Sequence, residues 1–347
     1  MSDSMIEISL CMIVRDEEKS LGRCLSSVGD IADEIIIIDT GSTDGTKEIA
    51  RSFGAKLYDF AWVNDFAAAR NYSFRKAGKD YIVWLDADDI LLPDDREQFM
   101  QLKRILPAGI DSVAMKYNVG FDGEGRAVTS LRRNRLVKRS CNFEWIGAVH
   151  EYLDIPANIL LSDIAVTHMK DKEPTDRNLK IYRARVEQGE QLPVRDLFYF
   201  ANELKNNHSF EEAIFYYAAY LASGLGWVED NIRACIKQSE CYYHLGNLEE
   251  AVRAIGQSLV YDKPGPEFCY RLGCYLCGLK AVGQAVYWFE LALQVPMNNS
   301  DLGIVNHMFH TWLPHYQLAL CYDYLGNPYK ANYHHEQVLQ YKQQTAM

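Results

Sequence analysis

A run of four isoleucines limits the fold of this chain more than any other feature of its sequence. Residues 34–39 read EIIIID, so every position between the two acids is β-branched and apolar. Such residues favour extended backbone, and a strand that is apolar at consecutive positions is typical of a sheet buried on both faces. The run therefore predicts an α/β fold in which helices cover both faces of a parallel sheet.

Neighbouring segments continue this alternation of strand and helix. Strands are predicted at 7–14, 34–39, 56–60 and 81–85, and amphipathic segments of about ten residues, such as 65–77, separate them. Ligands bind to such sheets at the carboxyl ends of the strands. Those ends carry the polar groups Arg15-Asp16-Glu17, Asp39-Thr40-Gly41-Ser42 and Asp86-Ala87-Asp88-Asp89.

From about residue 195 the pattern is helical only, and it repeats. Four alanines follow a turn-forming residue by five positions, and they lie 38, 34 and 46 residues apart: Ala213, Ala251, Ala285 and Ala331. A period of about 34 residues built of helix pairs is the tetratricopeptide spacing. The longer last interval predicts an insertion near PMNNSDLGIV; the alternative to repeats is a generic helical bundle.

Three segments are therefore expected along the chain. Residues 1–175 form the α/β domain, residues 176–194 a connecting helix or linker, and residues 195–347 the tetratricopeptide-like repeats. The C-x-x-C pair of Cys274 and Cys277 lies in a helical segment without a second pair for zinc, which favours buried helix residues.

Charge and hydropathy exclude several classes of function. The net charge of −11 argues against a general binder of nucleic acid or anionic membranes. No apolar run reaches about 18 residues, and the N-terminus lacks a basic region followed by an apolar one. The sequence thus predicts a cytoplasmic protein with no membrane span; it leaves the oligomeric state open, and a homodimer is one arrangement it allows.

The stretch VWLDADDI places three carboxylates in four positions directly after a predicted strand. Asp86 and Asp88 can both approach one point above the sheet, where a divalent cation such as Mg²⁺ or Mn²⁺ would cancel their repulsion. The alternative is helix capping, in which Asp88 or Asp89 precedes a helix that begins near Pro93.

Taken together, VRDEE, DTGSTDGT, NDFAAARN and the Asp-x-Asp turn resemble the family-2 glycosyltransferases. These enzymes have the GT-A fold, with a mainly parallel sheet, and use nucleotide-sugar donors. The resemblance is close over residues 6–92 and looser through EWIGAVHEYL at 144–153. A tetratricopeptide region after such a domain also occurs in this group, and the layout is similar to that of the glycocin (sublancin-type) peptide S-glycosyltransferases.

The resemblance implies which residues bind the donor. Asp39 would hold the uridine, Arg70 would face the nucleotide and pair with a phosphate, and Asp86 would belong to the Asp-x-Asp motif. On residue chemistry alone, Asp39 could cap the next helix and Arg70 could pair with a surface acid. The full implied set is Val14, Arg15, Glu17, Asp39, Gly41, Ser42, Asp65, Arg70 and Asp86.

The same resemblance implies the metal ligands and the catalytic base. Asp88 would bind Mn²⁺ or Mg²⁺ directly, with Asp86 and His168 completing the site, although a histidine at a strand end can be purely structural. His150 and Glu151 would take the proton of the acceptor, even though the Glu-Asp pair usual in the family is absent here. Trp145 would stack on a sugar or lie in the core.

The basic run LRRNRLVKR at 131–139 has two interpretations. It could neutralise the donor diphosphate, or it could be the solvated face of a strand. The sequence does not decide between them.

The expected function is metal-dependent, inverting transfer of a sugar from a nucleotide-diphosphate donor, with UDP as the expected nucleotide. The expected acceptor is a peptide or protein side chain, because repeat stacks form concave binding surfaces. One alternative is synthesis of a cell-surface polysaccharide or lipid-linked sugar, and another is a non-catalytic repeat scaffold. No G-x-G-x-x-G follows the first strand, which argues against a dinucleotide-dependent oxidoreductase.

Overall fold

The computed structural model describes residues 5–121, 127–156, 158–170, 175–296 and 307–344. The chain divides into two compact units, Met1–Thr175 and Asp176–Met347. Of the segment PMNNSDLGIV, in which an insertion is expected, all but Pro296 lies outside the described residues.

The first unit is an α/β domain. Four helices accompany its strands: α1 (Leu21–Val28), α2 (Thr46–Ser52), α3 (Phe66–Lys76) and α4 (Pro93–Ile105). The strands are β1 (Ile8–Val14), β2 (Glu34–Asp39), β3 (Lys56–Asp59), β4 (Tyr81–Trp84), β5 (Asp89–Leu91), β6 (Ser112–Phe121), β7 (Ala127–Lys138), β8 (Trp145–Ile146), β9 (Tyr152–Leu153) and β10 (Ile159–His168). The four strands predicted from the sequence are confirmed as β1 to β4.

Eight of these strands form one sheet in the order β3-β2-β1-β4-β7-β6-β10-β5. The strands β1 to β4 are parallel to one another, and β10 is parallel to β6. Only β7 and β5 run in the opposite direction, which confirms a mainly parallel sheet. The ends of β1, β2, β4 and β10 therefore meet at one edge, and Val14 and Asp39 lie directly opposite each other there.

The isoleucine run of β2 explains why the sheet is covered on both faces. Ile37 is fully buried and packs in the cluster that contains Leu25 of α1. Ile36 and Ile38 point to the other face, where they pack in the cluster that contains Tyr72 of α3. Each fully buried isoleucine contributes about 1.5–3 kcal/mol relative to an exposed one. The run is thus apolar throughout because successive side chains enter two separate cores.

The second unit consists of helices. It begins with α5 (Arg177–Glu187), and the helices that follow are arranged as four pairs: α6 (Val194–Asn206) with α7 (Phe210–Ala222), α8 (Val228–His244) with α9 (Leu248–Gly256), α10 (Pro266–Gly278) with α11 (Val282–Gln294), and α12 (Trp312–Tyr324) with α13 (Pro328–Gln344). No helix among the described residues is long and apolar enough to cross a membrane.

The repeat predicted from the alanines is confirmed by these pairs. Each alanine is fully buried and stands three residues after the start of the second helix of its pair. The turn residue five positions earlier has a positive φ in all four pairs: His208 (62°), Gly246 (76°), Lys280 (63°) and Gly326 (71°). The five-residue interval therefore joins a residue with left-handed backbone conformation at the turn to a small residue where the two helices touch.

We expect Ala251→Leu to destabilise the helical unit by roughly 1–3 kcal/mol, because the larger side chain would overpack the core around Phe268 and Ala292. Urea unfolding followed by circular dichroism measures this change. Ala218→Leu, at an exposed position of α7, is the matched control. Equal unfolding midpoints for the two variants would show that the alanine period does not reflect close helix packing.

Candidate active site

Hydrogen bonds join the loops that follow β1 and β2. The Asp16 amide donates to Ser42 Oγ at 2.9 Å, and the Thr43 amide donates to Asp16 Oδ1 at 2.7 Å. The Glu17 amide donates to Thr46 Oγ1 at 2.7 Å. Much of the polarity of VRDEE and DTGSTDGT therefore holds the two loops together at the edge of the sheet.

Asp39 ends β2 in a fully buried position. Its Oδ1 accepts hydrogen bonds from the amides of Gly41 (3.0 Å) and Ser42 (2.9 Å), and it lies 3.4 Å from Lys47 Nζ. Although burial alone would raise the pKa of this carboxyl, the bonds from Ser42 and Gly41 and the charge of Lys47 lower it. Among the described residues, the buried Oδ2 has no hydrogen-bond partner. Asp39 thus presents one free acceptor oxygen and caps no helix, since α2 begins only at Thr46.

Gly41 allows this geometry, because its φ of 105° is open to glycine and strained for other residues. Of the remaining residues expected near the donor, Val14 is buried at the end of β1, and Arg15 is half exposed. Glu17 accepts a bond from Ser20 Oγ at 2.6 Å, and Asp65 caps α3 through the Ala68 amide at 2.8 Å. The structure gives these last two carboxylates local roles at the starts of helices, and their contact with a donor stays a prediction.

Arg70 of α3 connects two acids. Its Nη2 donates to Asp86 Oδ1 at 2.7 Å and its Nε donates to Glu151 Oε1 at 2.6 Å. The guanidinium is buried and lies about midway between the rings of Trp84 (5.0 Å) and Trp145 (4.9 Å). The acids that it pairs with belong to the site itself, so the alternative of a surface ion pair does not hold for Arg70, and its contact with a donor phosphate stays a prediction.

Trp145 does not have the role expected for it. Only 4% of the residue is exposed, and its ring lies edge-on to Trp84 with 4.7 Å between the centroids. A ring covered in this way has no open face on which a sugar could stack. The prediction of acceptor stacking was wrong, and the core alternative holds.

Glu151, one of the two expected bases, is fixed by its bond to Arg70. Its side chain is 12% exposed, so it lies close to the surface of the site without being open to bulk solvent. His150 precedes it with a φ of 53°, a left-handed conformation that is uncommon outside glycine.

Asp89 and Arg135 form a fully buried ion pair that the sequence did not reveal. Arg135 Nη1 lies 3.0 Å from Asp89 Oδ2 and neither side chain is exposed. The guanidinium of Arg135 lies over the rings of Trp84 (4.0 Å) and Tyr117 (4.4 Å). Asp89 Oδ2 also accepts a bond from the Asp86 amide at 3.0 Å. Asp89 lies in β5, so the helix-capping alternative does not apply to it.

The arginines of the basic run at 131–139 have different surroundings, so neither of the two interpretations applies to the whole run. Arg135 is buried with Asp89, whereas Arg132 donates to the carbonyl of Ser162 and lies 3.4 Å from Asp163. Arg133 is exposed and lies 5.4 Å from the Tyr117 ring, on the side of the strand that also carries Arg135. Successive side chains of β7 point to opposite faces of the sheet, so its arginines have different surroundings. Register shifts between β6 and β7 make this alternation hard to follow from the sequence.

Asp88, Asp89 and His168 come together as a candidate metal site. Their ligand atoms lie within 4.8 Å of one another. His168 Nδ1 is 3.5 Å from Asp88 Oδ1, 3.4 Å from Asp89 Oδ1 and 3.1 Å from the hydroxyl of Tyr117. Burial raises the pKa of Asp88 to about 6. Asp89 Oδ1 is buried and accepts no hydrogen bond from the described residues, so this oxygen is available as a metal ligand.

This cluster differs from the expected ligand set in one member. Asp88 and His168 belong to the cluster as expected. Its third member is Asp89 instead of Asp86, which is paired with Arg70. Burial by itself would raise the pKa of Asp86, yet the charges of Arg70 and Arg135 hold it well below its ordinary value. Carboxylate oxygens suit Mn²⁺ or Mg²⁺, so Asp88 and Asp89 fit the group that the sequence predicted, with His168 as a nitrogen ligand beside them.

The mainly parallel sheet, with an acidic turn at the carboxyl end of its fourth strand, is a GT-A-like arrangement. Residues 9–153 match the model of glycosyl transferase family 2. The part of the first unit that matches this family is followed by tetratricopeptide-like helix pairs in the second unit. The resemblance, the fold class and the enzyme class predicted from the sequence are confirmed.

Two relatives match different shares of the chain. A TPR repeat-containing protein of Synechococcus elongatus is 29% identical over 327 residues, with 92% of this chain and 74% of that protein covered. The SPbeta prophage-derived glycosyltransferase SunS of Bacillus subtilis is 29% identical over 224 residues, with 60% of this chain covered. The match spans about half (52%) of the length of SunS.

Among solved structures, glucosyl-3-phosphoglycerate synthase from Mycobacterium tuberculosis in complex with phosphoglyceric acid is 18% identical, with a TM-score of 0.40. The alignment covers 54% of this chain and 81% of that one.

We expect Asp89→Asn to cost roughly 3–5 kcal/mol of stability, because it leaves the Arg135 guanidinium buried without a counter-charge. The double variant Asp89→Leu with Arg135→Met removes both charges and should recover most of the loss. Chemical unfolding in the presence of EDTA measures both effects without contribution from a metal.

Asp163→Asn is the control for this experiment, because it removes a carboxylate that pairs with Lys116 and Arg132 at the surface. It should change stability little. A loss for Asp89→Asn no larger than that of Asp163→Asn would contradict the structural importance of the buried pair.

Proposed function

We propose that this protein transfers a sugar from a nucleotide-diphosphate donor, with UDP as its nucleotide, to an acceptor nucleophile with inversion at the anomeric carbon. The observation that carries the proposal is the cluster of Asp88, Asp89 and His168 inside a domain that matches glycosyl transferase family 2. Asp39, with its free buried oxygen, is the proposed contact for the uridine.

Asp88, Asp89 and His168 are the proposed ligands of Mn²⁺ or Mg²⁺. Such an ion, when bound, supplies positive charge to the departing diphosphate. Arg133 is the proposed second source of positive charge for the diphosphate. It is exposed beside Tyr117, and no carboxylate of the described residues lies within ion-pair distance of its guanidinium. Val14, Arg15 and Gly41 would shape the nucleotide pocket at the ends of the first two strands.

Glu151 and His150 are the proposed acceptors of the proton that the nucleophile loses. A base must be held within reach of that proton, and the 2.6 Å bond from Arg70 fixes the orientation of Glu151. The second oxygen of the same carboxylate would then receive the proton. A thiol acceptor would need less help, because part of it is already ionised near neutral pH.

A peptide or protein side chain is the proposed acceptor. The helix pairs of the second unit support this choice, since stacked pairs form extended surfaces of the kind that hold peptides. A saccharide of the cell surface or a lipid-linked sugar is the second candidate. A scaffold without activity is disfavoured by the buried Asp39 Oδ2 and Asp89 Oδ1, which accept no hydrogen bond from the described residues, because burying a carboxylate oxygen without a partner is costly.

The proposal predicts release of nucleotide from one donor in a panel of UDP- and GDP-sugars with Mn²⁺ or Mg²⁺. Asp88→Asn should lower the rate at least about 100-fold, as is typical when a charge that stabilises the transition state is lost. Asp94→Asn, an exposed acid at the start of α4, is the matched control and should leave the rate unchanged.

Nucleotide release is followed in a coupled assay, first without acceptor and then with candidate peptides. A rate that survives Asp88→Asn, or a panel in which no donor is consumed under any condition, would refute the proposed transfer.

A further inference from the structure

Three cysteines of the helical unit lie in one apolar cluster. Cys321 of α12 is buried there, and Cys274 and Cys277 of α10 are half-buried against it. The Sγ atoms of Cys277 and Cys321 are 3.5 Å apart. Helices α10 and α12 are the first helices of the third and fourth pairs, so this contact crosses the boundary between two pairs. All three thiols are free, and the transfer proposed above uses none of them.

The C-x-x-C spacing of Cys274 and Cys277 does not identify the two thiols that can be bridged. In a regular α-helix, Cβ atoms three residues apart are about 5–6 Å from each other. A disulfide needs a Cβ···Cβ distance of about 3.5–4.5 Å, so a bond between these two residues would distort α10. Cys277 and Cys321 belong to different helices, and their sulfurs are already in contact. The contact between helices therefore marks the bridgeable pair, and the sequence motif does not.

The surroundings of the two sulfurs give them different parts in such a reaction. Cys277 is partly exposed, whereas only 4% of Cys321 is exposed. A hydrogen bond between the two thiols lowers the pKa of Cys277, and the same bond together with burial raises the pKa of Cys321. Burial raises the pKa of the third thiol, Cys274, to about 11. Cys277 is thus the thiol of this cluster that ionises first, and the thiolate is the form that attacks a disulfide.

We propose that Cys277 and Cys321 are a site of reversible disulfide formation, with a low-molecular-weight disulfide RSSR as the oxidant. The Cys277 thiolate attacks one sulfur of RSSR, which forms a mixed disulfide and releases RS⁻. Cys321 then loses its proton, and its sulfur attacks Cys277 Sγ and releases the second RS⁻. The protons of the two cysteines end on the two released thiolates. Two thiols of the chain are thereby oxidised to one disulfide, and RSSR is reduced to two RSH.

The new bond would join positions 44 residues apart in the sequence and cross-link the third and fourth helix pairs. Such a link stabilises the folded chain, chiefly because it restricts the unfolded one. In the reduced chain the same cysteines pack as small apolar side chains beside Phe289 and Leu318. The site lies in the helical unit alone and needs no sugar donor, metal or acceptor, so its failure leaves the proposed transfer untouched.

The test treats the full chain with an excess of oxidised glutathione. Remaining thiols are then blocked with iodoacetamide in denaturant, and the disulfides are located by mass spectrometry of peptides. We expect a linked pair of peptides that contains Cys277 and Cys321. The thermal midpoint of the helical circular dichroism signal should rise by about 5 °C or more. Dithiothreitol should reverse both changes.

Variants separate the attacking thiol from the resolving one. Cys321→Ala should accumulate at least about ten-fold more glutathione on Cys277 than the wild type does, because no second thiol displaces it. Cys277→Ala should show neither this adduct nor the link. Cys274→Ala, one turn earlier in the same cluster, is the matched control and should form the link as the wild type does. Cys321→Ser is the second variant if the alanine variant is poorly folded.

Four results would overturn the proposal. They are wild-type Cys277 and Cys321 that both stay free in excess oxidised glutathione, a bond between Cys274 and Cys277 in place of the expected link, a folded Cys321 variant without an adduct on Cys277, and a linked chain whose thermal midpoint is unchanged.

Discussion

The buried ion pair of Asp89 and Arg135 is the interaction on which the acidic turn depends. It lies between Trp84 and Tyr117, and Asp89 also accepts a bond from the Asp86 amide. Two of the three crowded carboxylates in VWLDADDI thus have a buried arginine as counter-charge. Asp86 pairs with Arg70, Asp89 with Arg135, and Asp88 faces His168.

The rest of the site is built around that turn. Arg70 joins Asp86 to Glu151, so the proposed base and the acidic turn keep a fixed relation to each other. On the other side, the loops after β1 and β2 are joined by bonds such as that from the Asp16 amide to Ser42. A site held by such contacts is preorganised, which is the condition for electrostatic stabilisation of a transition state.

Sequence reasoning succeeded where the signal is local. The isoleucines of β2, the alternation of strand and helix, and the alanine period all follow from periodicities that a single segment displays. It failed where the answer depends on contacts between distant segments. Arg70 and Glu151 are 81 residues apart, and no local pattern distinguishes the buried Arg135 from the exposed Arg133. Trp145 likewise gave no local sign that it would be covered by Trp84.

The central claim is that Asp88, Asp89 and His168 hold a divalent cation next to the nucleotide. Titration of the purified chain with Mn²⁺, followed by the electron paramagnetic resonance signal of the free ion, tests it most directly. We expect the chain to bind a single Mn²⁺ ion, with an affinity that UDP increases and that Asp88→Asn and His168→Gln each decrease strongly. Folded variants that bind Mn²⁺ as the wild type does, or a wild type that binds no Mn²⁺ with UDP present, would contradict it.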